Sequence, residues 1–263
     1  MTIEELREWK KELGYSNERI AELSGNSIEK IREIFEGKEC LVDYIVLQEL
    51  EKVLVPVQLQ TWPPLLKEET ARYLVSKRQG EYTIEDYLAL PEQCRVELID
   101  GVIYDMGAPN FGHQAINIKI STKLFNYIDK MKGKCMVVTA PTDVQLDCDN
   151  KTMLQPDILI VCDRRKLTLE RVFGAPDFVV EVLSLSTRKK DLSIKMRKYK
   201  DAGVREYWID DPIRRRVHVY EFERSTDPVL YTFKDKVPVG IFNGECEVDF
   251  KEIYDSIKFL YEK

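Results

Sequence analysis

Two short apolar segments of the chain each carry one acidic residue. The segments are 155–161 (QPDILIV) and 178–184 (FVVEVLS), and their many β-branched residues are typical of buried strands. Asp157 opens the first apolar run, and Glu181 lies inside the second, 24 residues later. A carboxylate in an apolar strand is costly unless a cation meets it. Because Mg²⁺ prefers carboxylate oxygens and waters as ligands, the pattern predicts that the two acids hold a divalent metal ion.

A dense basic region follows the second segment. Residues 186–216 contain 11 Lys or Arg and five Asp or Glu, a local charge of +6 in a chain whose net charge is −6. A phosphate backbone responds to such a local field rather than to the charge of the whole chain. Two metal-binding acids near a basic region favour a metal-dependent hydrolase of phosphodiesters. A solvated basic surface is the plainer alternative for the charged region.

Several other chemistries are disfavoured by what the sequence lacks. It contains neither a G-x-S-x-G element nor a P-loop, which argues against a serine hydrolase and a nucleotide-binding site of that kind. The two histidines, His113 and His218, offer little base capacity for serine or cysteine hydrolases. With so few histidines and no C-x-x-C pair, the sequence also argues against structural zinc.

Hydropathy and cysteine usage point to one cellular compartment. No apolar run approaches the length needed to cross a bilayer, and the acidic N-terminus differs from a secretory signal. We therefore expect a cytoplasmic protein with no membrane partner. In that compartment the scattered cysteines are expected to be reduced thiols. They are Cys40, Cys94, Cys135, Cys148, Cys162 and Cys246.

Residues 1–55 have the pattern of four short helices, with a glycine turn between the second and the third. The segments 13–16 (LGYS), 20–25 (IAELSG) and 31–37 (IREIFEG) resemble the small helix-turn-helix domains of phage repressors (Cro/CI-like). The resemblance implies a small all-α domain whose third helix contacts DNA. The candidate DNA-binding residues are Ser27, Lys30 and Arg32.

The alternative for this region is a four-helix module that binds protein or mediates self-association. Residues 1–60 carry eight Lys or Arg against 13 Asp or Glu, a net charge of −5, and this acidity favours the alternative. Glu29 and Glu33 accompany Lys30 and Arg32 in the third helix, whereas a helix that faces phosphates is normally more basic. Both interpretations stay open.

Residues 56–80 include two consecutive prolines and are interpreted as a linker with a short helix at 68–77. An α/β domain follows over 81–263. It begins with a helix capped by Thr83 and a hairpin at 95–104 that turns at an Asp-Gly pair. The later predicted elements are helices at 115–131 and 191–202, strands at 135–146, 153–162, 206–209 and 217–222, and a hairpin and helix in 229–263.

Many short motifs occur in order between residues 81 and 222. They are 96–101 (VELIDG), 112–113 (GH), 155–157 (QPD), 174–177 (GAPD), 181–184 (EVLS), 186–187 (ST), Asp191, Lys195, Tyr199, 202–204 (AGV), 206–208 (EYW) and 211–212 (DP). Together they resemble the Uma2-like family of proteins described as restriction endonucleases, within the PD-(D/E)xK nuclease superfamily. A Pro-Asp pair alone would be weak, whereas this many matches in order is specific.

The resemblance implies a restriction-endonuclease-like fold of the α+β or α/β class, a mixed β-sheet flanked by helices with the acids on adjacent central strands. It also implies that Asp157 and Glu181 are catalytic metal ligands and that Glu97 is a third acid that binds the metal. The x-K position of the superfamily motif is occupied by Leu183, so the resemblance points to Lys195 as the catalytic lysine. The implied cofactor is Mg²⁺ or Mn²⁺.

The assignment of the lysine has alternatives. Lys189, Lys190 and Lys198 lie near Lys195 in the sequence. Lys195 is favoured because it is one helical turn from Asp191, so that both face the same side. A solvated helix lysine is the plainer interpretation of Lys195, and structural ion pairs are the plainer interpretation of the two strand acids.

Five residues are candidate substrate-binding groups: His113, Ser184, Arg188, Lys189 and Lys198. His113 lies at a predicted helix start, so contact with substrate or metal and capping of the helix are both open. Ser184 could donate to a phosphate or cap the helix that follows.

These observations favour a Mg²⁺-dependent DNA endonuclease that a helix-turn-helix domain targets or regulates. Cutting both strands would favour a two-fold homodimer, because each site handles one strand at a time. The alternative is a non-catalytic DNA-binding or protein-interaction protein on an inactivated nuclease scaffold.

Overall fold

The structure is a computed structural model that describes residues 3–36, 46, 50, 53–54, 77–91, 94–146, 149–184, 190–225 and 227–261. Within these residues, no helix combines the length and the apolar character needed to cross a membrane. The chain divides into two compact units, residues 1–65 and 66–263.

The first unit is helical in its described part. It contains α1 (Ile3–Leu13), α2 (Asn17–Ser24) and α3 (Ile28–Glu36). The Ser16 side chain caps α2, and Gly25 ends it with φ 71°, a left-handed conformation that favours glycine. Apolar side chains from these helices and from the later segment form one core: Leu6, Ile20, Ile31, Ile34, Phe35, Val46, Leu50 and Leu54. The predicted fourth helix and the predicted linker helix at 68–77 lie mostly outside the described residues.

The second unit alternates helices and strands. In chain order its elements are α4 (Ile84–Leu88), β1 (Val96–Ile99), β2 (Val102–Asp105), α5 (Phe111–Lys130), β3 (Met136–Thr139), β4 (Asp143–Gln145), β5 (Met153–Leu154), β6 (Ile158–Val161), β7 (Arg171–Phe173), β8 (Phe178–Val182), a π-helix (Lys190–Lys195), α6 (Met196–Ala202), β9 (Glu206–Asp211), β10 (Arg216–Glu221), β11 (Val229–Thr232), β12 (Lys236–Pro238), β13 (Glu247–Asp249) and α7 (Phe250–Ile257). Short 3₁₀ turns occur at Arg164–Lys166, Gly240–Phe242 and Lys258–Leu260.

The strands form two larger sheets and one small hairpin. The six-stranded sheet has the order β11-β10-β9-β8-β6-β3, and the five-stranded sheet has the order β2-β1-β5-β4-β7. In the first sheet β8 and β9 are parallel, and in the second β4 and β7 are parallel; the other pairs are antiparallel. Both sheets are therefore mixed. The strands β12 and β13 form the predicted C-terminal hairpin, and α7 follows it.

The six-stranded sheet is buried on both faces, because its alternate residues enter different cores. Ile158 and Ile160 pack with Ile116, Ile120 and other residues of α5 and α7. Leu159 and Val161 pack on the opposite side with side chains of the five-stranded sheet and of α6. The unit is thus layered as helices, sheet, then second sheet with a helix.

Two local predictions were tested by the backbone. The hairpin at 95–104 is present as β1 and β2, and Asp100 and Gly101 have φ values of 51° and 75° at its turn, as expected for the two central residues of a type I′ turn. The single strand predicted at 135–146 is wrong. It is two strands that belong to different sheets, and the chain changes direction between them at a cis Ala140–Pro141 peptide.

One pair of cysteines departs from expectation. Cys135 and Cys162 form a disulfide. Cys135 directly precedes β3 and Cys162 directly follows β6, and the antiparallel register of these strands makes the two residues neighbours. The expectation of reduced thiols is wrong for this pair, because a separation of 27 residues does not reveal the register. The described free thiols are Cys94 and Cys246.

Asp210 on β9 is fully buried, and within the described chain neither of its carboxyl oxygens has a hydrogen-bond partner. Burial, together with the charges of Asp211 and Asp157, raises its pKa well above the ordinary value for aspartate. A carboxyl whose pKa is raised by folding ionises more readily in the unfolded chain, so its contribution to stability falls as the pH rises above the unfolded value of about 3.9.

We therefore expect Asp210→Asn to increase the free energy of unfolding at pH 7 by about 1–3 kcal/mol. The gain should shrink towards zero near pH 4, where the aspartate of the unfolded chain also binds a proton. Urea unfolding at both pH values measures this. The matched control is Asp201→Asn, because Asp201 is exposed on the helix Met196–Ala202, where the same change should have little effect. A gain that is the same at both pH values, or one shared by the control, would contradict this account.

Candidate active site

Asp157 and Glu181 lie opposite each other on neighbouring strands. In the antiparallel register of β6 and β8, Ile158 faces Val180, so Asp157, one residue before β6, is level with Glu181. Opposed residues in an antiparallel pair project to the same side of the sheet. The backbone N–H of Val182 also donates to Asp157 Oδ2 at 2.8 Å. Glu181 therefore faces the second sheet, where Glu97 lies, and Asp157 lies beside Glu181 at the end of the strand pair.

Both acids line a cleft with a volume of about 560 Å³. Its charged lining is Glu97, Asp157, Glu181, Lys190, Lys195 and Arg95, and Ser184 also lines it. The cleft thus brings both strand acids together with two lysines.

Lys195 is the cation that meets the strand acids. Its Nζ lies 2.7 Å from Glu181 Oε1, 2.7 Å from Glu97 Oε1 and 3.5 Å from Asp191 Oδ1. Burial would lower its pKa, but these three carboxylates raise the pKa of Lys195 well above its ordinary value. The buried side chain is therefore a permanent ammonium group. Leu183, at the x-K position, is instead part of the apolar core.

Glu97 on β1 is fully buried and has a partner at both oxygens. Oε1 accepts from the Gln155 backbone N–H at 3.0 Å and from Lys195, and Oε2 pairs with Lys190. Burial alone would raise its pKa, but the charges of Lys190 and Lys195 lower the pKa of Glu97 to about 2. Glu97 is thus an ionised anchor for two lysines.

The π-helix explains how two lysines reach one carboxylate. Lys190 and Lys195 are five residues apart, and the i→i+5 turn of a π-helix stacks residues at that spacing, which an α-helix does not. Sequence reasoning named Lys190 only as an alternative to Lys195, because it assumed α-helical spacing. The structure uses both.

Three other acidic residues, Asp191, Asp157 and Glu97, act on Glu181. Burial raises its pKa well above the ordinary value, and Asp191, Asp157 and Glu97 add to this, although Lys195 opposes it. The Tyr199 hydroxyl donates to Glu181 Oε1 at 2.9 Å. Both hydrogen-bonded partners of Glu181 therefore sit on the same oxygen.

One oxygen of each strand acid is left for a ligand. Among the described residues, no hydrogen bond reaches Asp157 Oδ1 or Glu181 Oε2. Two such carboxylate oxygens are the donor type that a hard divalent cation takes, so the residues fit the metal predicted from the sequence. The described chain contains no group of three or more His, Cys, Asp or Glu side chains arranged for a metal ion. Glu97 in particular is occupied by lysines, which departs from its predicted place as a third ligand.

His113 lies in the first turn of α5, and its Nε2 is 3.0 Å from Asp157 Oδ2. The Asn110 side chain caps this helix by accepting from the His113 backbone N–H at 2.9 Å. The histidine side chain therefore does not cap the helix, and it contacts one of the two strand acids instead.

The other candidate substrate-binding residues are not all brought to the cleft. Ser184 lines it. Lys198 is not among the lining residues, and its ammonium pairs with Asp100 and Asp149 at 2.5 and 2.7 Å. Its role in substrate binding stays a prediction. Arg188 and Lys189 lie outside the described residues.

The candidate DNA-binding residues belong to the first unit. Ser27, Lys30 and Arg32 are exposed. The Ser27 hydroxyl accepts from the Lys30 backbone N–H at 3.3 Å, and Arg32 pairs with Glu18 of α2 at 2.9 Å.

Comparisons with known proteins bear on the family and the fold of this chain. Residues 84–240 match the Uma2 family, described as "Putative restriction endonuclease". An uncharacterized protein of Synechocystis sp. is 33% identical over 117 residues, which are 44% of this chain and 60% of that protein. The chain thus spans less than two thirds of that relative's length.

A crystal structure from Anabaena variabilis, described as "a putative nuclease belonging to DUF820", shares the fold with a TM-score of 0.55. The two chains are 21% identical, and the match covers 66% of this chain and 97% of the other. The predicted fold class, mixed sheets flanked by helices in a restriction-endonuclease-like arrangement, is confirmed. Because the family match spans more than half of its residues, this chain belongs to the Uma2 family.

Proposed function

We propose that this chain is a divalent-metal-dependent endonuclease that hydrolyses DNA phosphodiester bonds in the Asp157–Glu181 cleft. One observation carries the proposal: the two acids are level across β6 and β8, and the Lys195 ammonium lies 2.7 Å from Glu181. Membership of the Uma2 family supports it, and so does the fold shared with the Anabaena protein described as a nuclease.

Asp157 and Glu181 would hold the metal, and their Oδ1 and Oε2 atoms accept no hydrogen bond from the other described residues. Mg²⁺ or Mn²⁺ suits a donor set of carboxylate oxygens. A divalent ion bound there polarises a phosphate oxygen and lowers the pKa of a bound water.

Lys195 supplies fixed positive charge. Its ammonium orients the attacking water or offsets the negative charge that develops on the phosphate in the transition state. Glu97 holds that ammonium in place, since it pairs with Lys195 at 2.7 Å and with Lys190 on its other oxygen. Glu97 is therefore a positioning residue in this proposal rather than a metal ligand.

The first unit targets or regulates the nuclease in this proposal, through Ser27, Lys30 and Arg32. Their exposure supports the role, and the ion pair of Arg32 with Glu18 limits it, because that guanidinium must exchange partners to reach a phosphate. Cleavage of both strands would be carried out by a two-fold homodimer.

A non-catalytic DNA-binding or protein-interaction role is the second candidate. The observation that favours it is the pairing of Glu97 and Glu181 with Lys190 and Lys195. In that case the four side chains form a structural ion-pair network, and the protein binds without cutting.

Cleavage of supercoiled plasmid with Mg²⁺ or Mn²⁺ tests the enzyme. We expect nicking by the wild type, and a rate lower by about 10²–10³-fold or more for Asp157→Asn and for Lys195→Met, because each loses a group that stabilises the transition state. Agarose gels over time measure both rates.

The matched control is Lys200→Met, which removes the same charge from an exposed position on α6 and should stay within about twofold of the wild type. Lys195→Met leaves buried carboxylates unpaired and can cost about 3–5 kcal/mol of stability. Circular dichroism melts of each variant therefore accompany the assay, and the partly exposed Asp157 gives the cleaner variant. Equal nicking by Asp157→Asn, or none by the wild type with either metal, would refute the enzyme.

Metal binding is tested separately by thermal unfolding. At Mn²⁺ about 100-fold above its dissociation constant, the wild-type melting temperature should rise by about 5–10 °C, since a ligand that binds only the native state stabilises it. Glu181→Gln and Asp157→Asn should lose most of this shift, and Glu97→Gln should keep part of it because its oxygens face lysines. A full shift in Glu181→Gln would place the metal elsewhere.

A further inference from the structure

A chain of hydrogen bonds runs from α5 to the candidate metal ligand. The Asn117 amide nitrogen lies 3.3 Å from His113 Nδ1, and His113 Nε2 lies 3.0 Å from Asp157 Oδ2. We infer that His113 and Asn117 are positioning residues, which hold Asp157 with its second oxygen turned towards the metal. This inference rests on the proposed function, and it replaces substrate binding as the role of His113.

The contacts select one form of the imidazole ring. A neutral ring has one donor and one acceptor nitrogen. A carboxylate oxygen only accepts, so the contact of Nε2 with Asp157 Oδ2 needs the ring proton on Nε2. Nδ1 of the neutral ring then accepts from the Asn117 amide nitrogen. The N–H then points at Asp157 Oδ2. The opposite tautomer would set a lone pair of Nε2 against the carboxylate, which is unfavourable.

The local fold holds both residues in this arrangement. His113 and Asn117 are four residues apart on α5, so they lie one above the other on the same helix face. Both are buried, with 9% and 6% of their surface exposed. The other amide atom, Asn117 Oδ1, is buried without a partner in the described chain, so His113 is the one described group to which the Asn117 side chain hydrogen-bonds.

These hydrogen bonds determine the orientation of the Asp157 carboxylate. Its Oδ2 receives two donors, His113 Nε2 at 3.0 Å and the Val182 backbone N–H at 2.8 Å. Two donors on one oxygen fix the plane of the carboxylate and leave Oδ1 for a ligand. Groups that orient a metal ligand in this way commonly change metal affinity or activity by about 10–100-fold when they are removed.

Nitrogen NMR on the metal-free protein tests the tautomer. The chain has two histidines, so a His218→Gln variant assigns the ring signals of His113 in long-range ¹H–¹⁵N spectra. For the neutral ring, we expect the proton on Nε2. A proton on Nδ1 would overturn the inference whether or not the protein cuts DNA.

Mn²⁺ titration calorimetry tests the consequence. We expect His113→Leu to weaken Mn²⁺ binding by about 10–100-fold, and Asn117→Leu to weaken it less, by up to about tenfold. His113→Gln should recover most of the loss because its amide nitrogen reaches the position of Nε2, whereas His113→Asn, whose nitrogen reaches only Nδ1, should not. This contrast separates a placed donor from a general packing role.

The outcomes separate this inference from the proposed function. Unchanged Mn²⁺ affinity in His113→Leu, or equal affinity in the Gln and Asn variants, would refute the positioning role even in an active nuclease. Normal Mn²⁺ binding that depends on His113, in a wild type that does not cut DNA, would support the positioning role and refute the nuclease. A wild type that binds no Mn²⁺ would refute both.

Discussion

The meeting of the Lys195 ammonium with Glu97 and Glu181 is the constraint on which the site depends. Each of these carboxylates is almost entirely buried on a β-strand, and each would be untenable there without a cation. A single ammonium, 2.7 Å from both, links the two sheets to the helical segment between β8 and β9. The same contact that makes the interior electrostatically possible therefore also assembles the cleft.

The two strands at the centre of the candidate site followed from local sequence signals, whereas the fold class followed from the family resemblance. The apolar runs around Asp157 and Glu181 predicted two buried strands, and they are β6 and β8. Their adjacency came from the family resemblance rather than from the residues themselves. The Asp-Gly pair at 100–101 predicted the β1–β2 hairpin, because its tight turn requires two residues with positive φ, and both residues have it.

What the sequence did not reveal depends on long-range register or on irregular backbone. Lys190 reaches Glu97 because residues 190–195 form a π-helix, and we found no residue pattern that predicts a π-helix here. Lys198 was a candidate substrate-binding residue, and its ammonium pairs with Asp100 and Asp149, which are distant in the chain. The Cys135–Cys162 disulfide likewise depends on the pairing of β3 with β6, which composition cannot supply.

The burial of β6 and β8 on both faces has a consequence for how the strands find each other. A shift of one strand by a single residue moves each side chain to the other face of the sheet. When both faces are apolar, this shift changes little in the burial of apolar surface, so burial alone does not fix the register. Glu181 is the exception, because a shifted strand would bury it away from Lys195. The acid that would bind the metal thus also favours one register of β8, and an apolar residue in its place would weaken that preference.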